Sequence, residues 1–496
     1  MAISITQIPS EFNLATGPNV WVLSGLSTVA GADSYALQIE IEGNPIATFE
    51  QPANPSGVCI FDVQKVLQSY LSPEITAPSF EGSYPAFEVM IAGTNGNESY
   101  FGTSNDGTLI LRYRVRYGSI SNQVYSWTNY SSYRYVINGY KPFYDVYWLP
   151  STLLYAPTLT NQPCEDNPGS MGVTTVDWRY LTDFPYRDET GALTGTNQRV
   201  ALDEYATISW WNYLVNAADQ DYNNFAPWVI EFDYKNEAGG QLDKTYAIIS
   251  GTWDIGPRQD ANDFGPFTFL SKDYIGQFGV GPQNLKDADT SGNYPVNLWS
   301  FYPNDVDHYY VRIWTFNTCK WTDDSSPVID ETDFTQIADY LLDPLYEMRY
   351  DVVSYDCQKF TPLRLSFMNA LGTHDYYTFY KRNTEIDNIT RNNYYQLPGS
   401  WSGISYQVYP HNRGSRTFST QVVQSWTAQS DYMSEVEGEF LKSLFLSPHA
   451  NMYWDGKWQS IELTNTTYEY QTFGRDKLFR YTITFNTAVN PRTQRG

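Results

Sequence analysis

The sequence predicts a mainly β, multidomain protein, on three observations. Of 496 residues, 42 are Tyr, 26 Phe and 15 Trp, and aromatic side chains suit a pleated, half-buried surface. Apolar and polar residues alternate with period two in several stretches, as a sheet with one buried face requires. The length also exceeds what one hydrophobic core usually serves. β-Sandwich-like domains with a few short helices satisfy all three. The expected division is an N-terminal β-sandwich over 1–145, a loop-rich β middle domain over 146–355 and a C-terminal β domain over 356–496.

In the first section Tyr35, Leu37, Ile39 and Ile41 point one way and Ala36, Gln38 and Glu40 the other, before the turn Glu42-Gly43-Asn44-Pro45. Phe87, Val89 and Ile91 repeat the period. So do Leu109, Leu111, Tyr113, Val115 and Tyr117, with Arg112, Arg114 and Arg116 opposite. Strands and turns at this spacing suggest a sandwich. A short helix over 62–72 interrupts them. Asp62 is placed to cap it, its apolar stripe is Val63, Val66, Leu67, Tyr70 and Leu71, and Ser72-Pro73 ends it. Tyr133, Tyr135 and Ile137 lead into a hairpin signal at Asn138-Gly139.

The middle section is punctuated by Gly239-Gly240, Gly256-Pro257 and Gly281-Pro282. Strands are expected at Thr207–Tyr213, Tyr246–Ile249 and Tyr309–Phe316, and a helix over Phe334–Leu342 behind Asp333.

In the last section Leu363, Leu365 and Phe367 alternate, Asn369-Ala370-Leu371-Gly372 turns the chain, and Tyr377 and Phe379 return. Ser434-x-x-Glu437 is a capping box for a helix over 434–446 carrying Val436, Phe440, Leu441, Leu444 and Phe445, stopped by Ser447-Pro448. Trp454-Asp455-Gly456-Lys457-Trp458 reads as a hairpin, and Phe479, Tyr481, Ile483 and Phe485 as the final strand. The polar tail Asn490–Gly496 is expected to fray.

Charge narrows the partners. Formal net charge is −24, and the first 111 residues hold eleven carboxylates against Lys65 alone. Nucleic acid and anionic membranes are disfavoured, since both call for clustered Lys and Arg. No apolar run of about 18 residues is present to span a bilayer, and the N-terminus lacks the pattern of a secretory signal. Cys59, Cys164, Cys319 and Cys357 never form C-x-x-C, so buried free thiols are expected. Synthesis and folding in the cytoplasm follow as the expectation.

Catalytic patterns are sparse. His308, His374, His411 and His449 have no metal-ligand spacing, and no nucleophile elbow or phosphate loop occurs. Asp287, Asp289 and Ser291 before Gly292 resemble the start of a calcium loop, but Leu298 stands where the bidentate Glu belongs. An ordinary Asx-turn loop is the preferred reading there. The carboxylate pairs Asp203-Glu204, Asp219/Asp221, Asp260/Asp263 and Asp323-Asp324 read as solvated surface rather than a glycosidase pair. No catalytic residue, metal or cofactor is therefore assigned.

Two stretches carry a resemblance. Asn54-Pro55-Ser56-Gly57-Val58-Cys59-Ile60-Phe61-Asp62-Val63 runs into the first helix. Leu365-Ser366-Phe367-Met368-Asn369-Ala370-Leu371-Gly372 is followed by Asp375, Tyr377 and Phe379, then by the 434–446 helix, the Trp454–Trp458 hairpin, Lys477–Tyr481 and Arg492–Arg495. Together they resemble tail-associated virion structural proteins of tailed bacteriophages that infect Bacteroidota. The resemblance implies a non-enzymatic ring, hub or baseplate-like tail subunit, made in the host cytoplasm and assembled into the virion. Its partners would be further copies of itself and other tail or connector proteins. A carbohydrate-binding adhesin or fibre protein is the alternative, and a glycoside hydrolase a third.

Overall fold

The computed structural model describes residues 3–9, 12–26, 34–41, 43–71, 110–137, 139, 158–163, 171–177, 182, 197–211, 228–249, 275–285, 306–316, 341–342, 347–354, 359–409, 414–433, 435–464, 480–489 and 493–495. Among the described residues strand dominates and helix is confined to a few short segments, so the mainly β, multidomain expectation holds. Two compact units result: Met1–Ser354 with Met368–Tyr376, and Tyr355–Phe367 with Tyr377–Gly496. The division expected near 145, and the residues around 355, lie outside the described residues. Among the described residues no helix is long and apolar enough to cross a membrane.

The first unit begins with β1 (Ser4–Gln7), β2 (Phe12–Leu14), β3 (Val20–Ser24), β4 (Ser34–Ile41), β5 (Asn44–Gln51) and β6 (Val58–Asp62). Helix α1 (Gln64–Tyr70) follows, then β7 (Ile110–Ser121), β8 (Val124–Trp127) and β9 (Arg134–Ile137). One sheet has the order β1-β3-β6, the other β2-β9-β7-β4-β5 with β8 on β7. Their inner faces share a core: Trp21, Leu23, Cys59 and Phe61 from one, Tyr35, Leu37, Ile39, Tyr113 and Val115 from the other. The Trp21 and Tyr113 rings meet edge-on, 6.5 Å between centroids. The outer face of β4 is less open than alternation predicts. Glu40 is buried beneath Arg114, which pairs with it and lies over the rings of Tyr130 and Tyr133.

Asp62 caps α1 from one position further out than the usual site. Its Oδ1 accepts from the Gln64 amide at 3.0 Å. Val63, Leu67 and Leu71 are buried as expected, but Tyr70 turns outward and leaves the stripe. The chain winds the helix over seven residues, ending at Tyr70, rather than over 62–72. The strand at 87–91, Leu109, Asn138 and any return strand after Gly139 fall outside the described residues.

Cys59 is buried in β6, and burial pushes its thiol up to about 11, a backbone hydrogen bond at Ile60 acting the other way. A neutral buried thiol is a poor nucleophile. At neutral pH iodoacetamide should leave Cys59 intact in the folded chain while alkylating it fully in urea, as read by peptide mass spectrometry. Equal rates would show that the sandwich opens there. The other three cysteines lie outside the described residues.

The same unit continues with β10 (Thr158–Pro163), β11 (Met171–Asp177), β12 (Gln198–Ala201), β13 (Thr207–Trp211), β14 (Trp228–Lys235) and β15 (Gln241–Ile249). Next come β16 (Ile275–Gly279), β17 (His308–Phe316), β18 (Leu341–Leu342) and β19 (Glu347–Val353). The main sheet runs β12-β19-β17-β14-β15, with β18 on β17. One face is apolar: Ile230, Phe232, Tyr309, Val311, Ile313, Met348 and Tyr350 are buried, with Tyr309 stacked on Tyr350 at 5.2 Å. The helix expected over Phe334–Leu342 needs correction at its end. Leu341 and Leu342 pair with Phe316 and Thr315 instead, because ladder pairing overrides a local helical pattern.

The C-terminal section holds β20 (Leu363–Met368), β21 (His374–Phe379), β22 (Asn383–Gln396), β23 (Ser400–Trp401), β24 (Tyr406–Gln407) and β25 (Gly414–Gln429). After helix α2 (Glu435–Leu446) come β26 (Ala450–Trp454), β27 (Lys457–Leu463), β28 (Thr482–Thr487) and β29 (Thr493–Arg495). The sheet order is β21-β20-β26-β27-β28-β25-β22, and β29 adds to β25. The Asp-Gly hairpin forms as expected, with Asp455 and Gly456 at φ 51° and 74°. Phe440, Leu441 and Leu444 of α2 are buried, and the Phe440 ring lies 5.6 Å from that of Phe367. Ile483 and Phe485 are buried on the final long strand. The tail is not frayed throughout: Thr493, Gln494 and Arg495 pair with Gln421, Thr420 and Ser419, because the open side of β25 offers backbone partners.

Candidate functional site

Few of the residues singled out for chemistry come together. Asp287, Asp289 and Ser291 lie outside the described residues, as do Asp219/Asp221, Asp260/Asp263, Asp323-Asp324 and His411. In the pair Asp203-Glu204, Asp203 is exposed, while Glu204 is buried and its Oε2 accepts from the Ala201 amide at 2.8 Å. That is a turn-closing role. His308 lies 2.8 Å from Asp307. Among the described residues no three His, Cys, Asp or Glu side chains gather as a metal site.

The hairpin tip after β20 explains its motif. Asn369 Oδ1 accepts from the Leu371 and Thr373 amides at 2.9 and 3.1 Å. Its Nδ2 donates to Thr373 Oγ1 and Asp375 Oδ2, both at 3.0 Å. Gly372 sits at φ 82°, where a side chain costs strain. The Asn, Gly and Asp of that pattern thus build a loop.

A carboxylate cluster that the sequence reading missed lies on the face of the main sheet opposite the core. Glu231 is 1% exposed and Asp233 3%. Arg312 Nη1 reaches Glu231 at 2.7 Å and Asp233 at 3.2 Å, and its Nη2 reaches Glu347 at 2.8 Å. Lys244 Nζ and the Trp314 indole also donate to Glu231, each at 2.9 Å. Lys235 Nζ is 2.9 Å from Asp233 Oδ1 but outside hydrogen-bond geometry, leaving a bare ion pair. Burial works to lower the Arg312 pKa, yet Glu231 and Glu347 outweigh it and hold the guanidinium above its ordinary value. Burial, then Glu231 and Asp233, push the Tyr246 hydroxyl up to about 12, so it stays protonated. Glu231's oxygens are occupied by fixed cations and donors. The cluster is suited to joining strands rather than to proton transfer.

Among the described residues, the arm made by β22 and β25 is packed against little of the rest of its own sheet. Fourteen-residue β22 is the edge of its sheet and would measure about 45 Å at the usual rise. β25 is flanked by β28 only over Ser425–Gln429 and by β29 over Ser419–Gln421. Nearer the tip the ribbon has no further strand beside it among the described residues. Ile386, Ile389, Tyr394, Tyr395 and Phe418 are all exposed along it, on both faces. At the tip, Trp401 sits opposite Tyr406, and Trp401 and Ile404 are 66% and 90% exposed. The root is firm. Asp431 accepts from Tyr380 and the Tyr432 amide and pairs with Lys381 at 3.3 Å. Burial raises the Asp431 pKa, but those contacts together bring it below its ordinary value.

An exposed apolar ribbon of this length is a binding element in form: it offers edge amides, rigid aromatic anchors and a fixed base. No known protein family matches the chain, and no curated protein sequence is similar to it.

Proposed function

We propose that this chain is a structural component of a bacteriophage virion tail, a ring, hub or baseplate-like subunit acting in particle assembly. The observation that carries the reading is the arm, whose exposed Ile, Tyr, Trp and Phe side chains are stabilised only against a partner. The resemblance at 54–63 and 365–379 supports it. So does the charge of −24, which keeps the free subunit apart from nucleic acid. The partners in this reading are further copies in a ring and other tail or connector proteins, without sequence-specific nucleic-acid binding or catalysis. Particles assembled without the protein should lack complete tails by electron microscopy. Complete, infectious particles without it would refute the role.

A second reading, a carbohydrate-binding adhesin or fibre protein, has one specific observation behind it. The exposed Trp401–Tyr406 pair has the form of a sugar-stacking platform. A polysaccharide panel separates the two: saturable binding that Trp401→Ala abolishes favours the adhesin.

A further inference from the structure

We propose that two copies of this chain join edge to edge through β22, antiparallel about a two-fold axis at Ile389, so that their sheets run on as one. The contact goes beyond the tail-subunit reading and does not rest on it. The edge is the first argument. β22 is the longest edge strand among the described residues, and it is exposed from Thr384 to Tyr395. It contains no Pro, Gly or Lys, the residues that usually blunt such an edge. The one bulge in its ladder places the extra residue, Phe418, on β25. The outer row of β22 amides and carbonyls therefore keeps a regular period.

The other edge and the charges decide what pairs with that row. β21, the opposite edge of the same sheet, has no exposed residue, and His374, Asp375, Thr378 and Phe379 are buried. A sheet that extends from copy to copy therefore has β22 on both sides of the join. Its charged residues are Glu385, Asp387 and Arg391. Two β22 strands laid in parallel and in register would set like charge beside like. Laid antiparallel with Ile389 opposite its own copy, Asp387 of each strand faces Arg391 of the other. Two such pairs flank the Ile389 contact, all on one face, and Thr384 faces Tyr394 on the other face. Opposite charges and aromatic–β-branched pairs are favourable cross-strand combinations. Centring on Asn388 instead matches Glu385 with Arg391 but sets Asp387 against Ile389, and centring on Thr390 sets Arg391 against Ile389. The strand is thus complementary to itself at one register, which an unrelated partner would not require. A two-fold contact closes at two copies, so it is separate from any contact that repeats into a ring.

The test uses the full chain and reads register as well as size. Sedimentation of the unaltered protein should show a monomer–dimer equilibrium. Asp387→Arg and Arg391→Asp should each associate about tenfold or more weakly, because each turns both attractive pairs into repulsive ones. Mixed in equal amounts, the two variants should associate with each other, since opposite charges meet again. The double variant should dimerise like the parent for the same reason. Circular dichroism should be unchanged, because both side chains are exposed. Ile389→Cys under mild oxidation should give a disulfide between copies, mapped by peptide mass spectrometry. Glu385→Cys should not, because its two copies lie about 27 Å apart at the usual rise. Dimers formed through another surface would persist in both single variants, and an edge reserved for an unrelated protein would leave the chain monomeric. Either result overturns the contact, as does mixing that restores nothing or cross-linking at 385 as readily as at 389.

Discussion

Arg312→Ala should destabilise the first unit by about 3–5 kcal/mol, the cost of leaving buried charge without its partner. Glu231 and Asp233 are almost wholly out of water, and one guanidinium spans both and Glu347. Lys244 would remain on Glu231 and Lys235 on Asp233, so what is lost is the guanidinium that bridges the two and reaches Glu347, and the lower end of the range is expected. Arg312→Lys should recover only part of it, because an ammonium lacks the planar fork that reaches three carboxylates. The measurement is urea unfolding followed by hydrogen exchange at β14 and β17, which reports this sheet separately from the other unit. A loss below about 1 kcal/mol would mean that water reaches the cluster and screens it. Replacing Glu231, Asp233 and Arg312 together by apolar residues should cost less than the single change, because the two almost wholly buried carboxylates go with the guanidinium, while Lys235, Lys244 and Glu347, which stay, are the more exposed members.

Phe440→Ala should cost about 3–5 kcal/mol in the second unit, the range for emptying a buried aromatic site. Phe440 is 2% exposed, its ring meets Phe367, and Leu441 and Leu444 flank it at full burial. α2 has little room to settle into the hole. A Cβ on Gly438 would already stand 3.3 Å from the Tyr481 ring, so that turn of the helix is close against its neighbour. Phe440→Leu should cost less, since it keeps most of the volume. The readout is the denaturation midpoint of this unit. A change under about 1 kcal/mol would place that face of α2 in water, against the burial seen here.

Legibility in the sequence followed the burial of one face. β4, β7 and β28 announce themselves because Tyr35, Leu37, Ile39, Leu111, Tyr113, Ile483 and Phe485 alternate with residues facing away. The Asp455-Gly456 turn is visible because a type I′ hairpin needs positive φ at both positions. The turn joining β7 to β8 escaped notice because Asn122 and Gln123 adopt φ 50° and 68° without a glycine. The arm was missed for a deeper reason. β22 is exposed on both faces, so Asn383-Thr384-Glu385-Ile386-Asp387-Asn388 has no apolar period to read. Its apolar residues join no buried face among the described residues, so no period in the sequence marks them. The Glu231 cluster had a weak signal, the alternation Ile230-Glu231-Phe232-Asp233-Tyr234-Lys235, but which cation answers which carboxylate depends on strand neighbours far apart in sequence.

The parallel pairing of β12 with β19 has a kinetic consequence. Gln198 lies against Tyr350, so a loop of roughly 150 residues must close before this edge of the sheet exists. Contacts of such separation form late and slowly. Until β12 arrives, the flank of β19 is a bare template, and at high concentration the strand that fills it can come from another molecule. Refolding yield should therefore depend on dilution, and the crowded setting of rapid synthesis is where this sheet is most exposed to swapped partners.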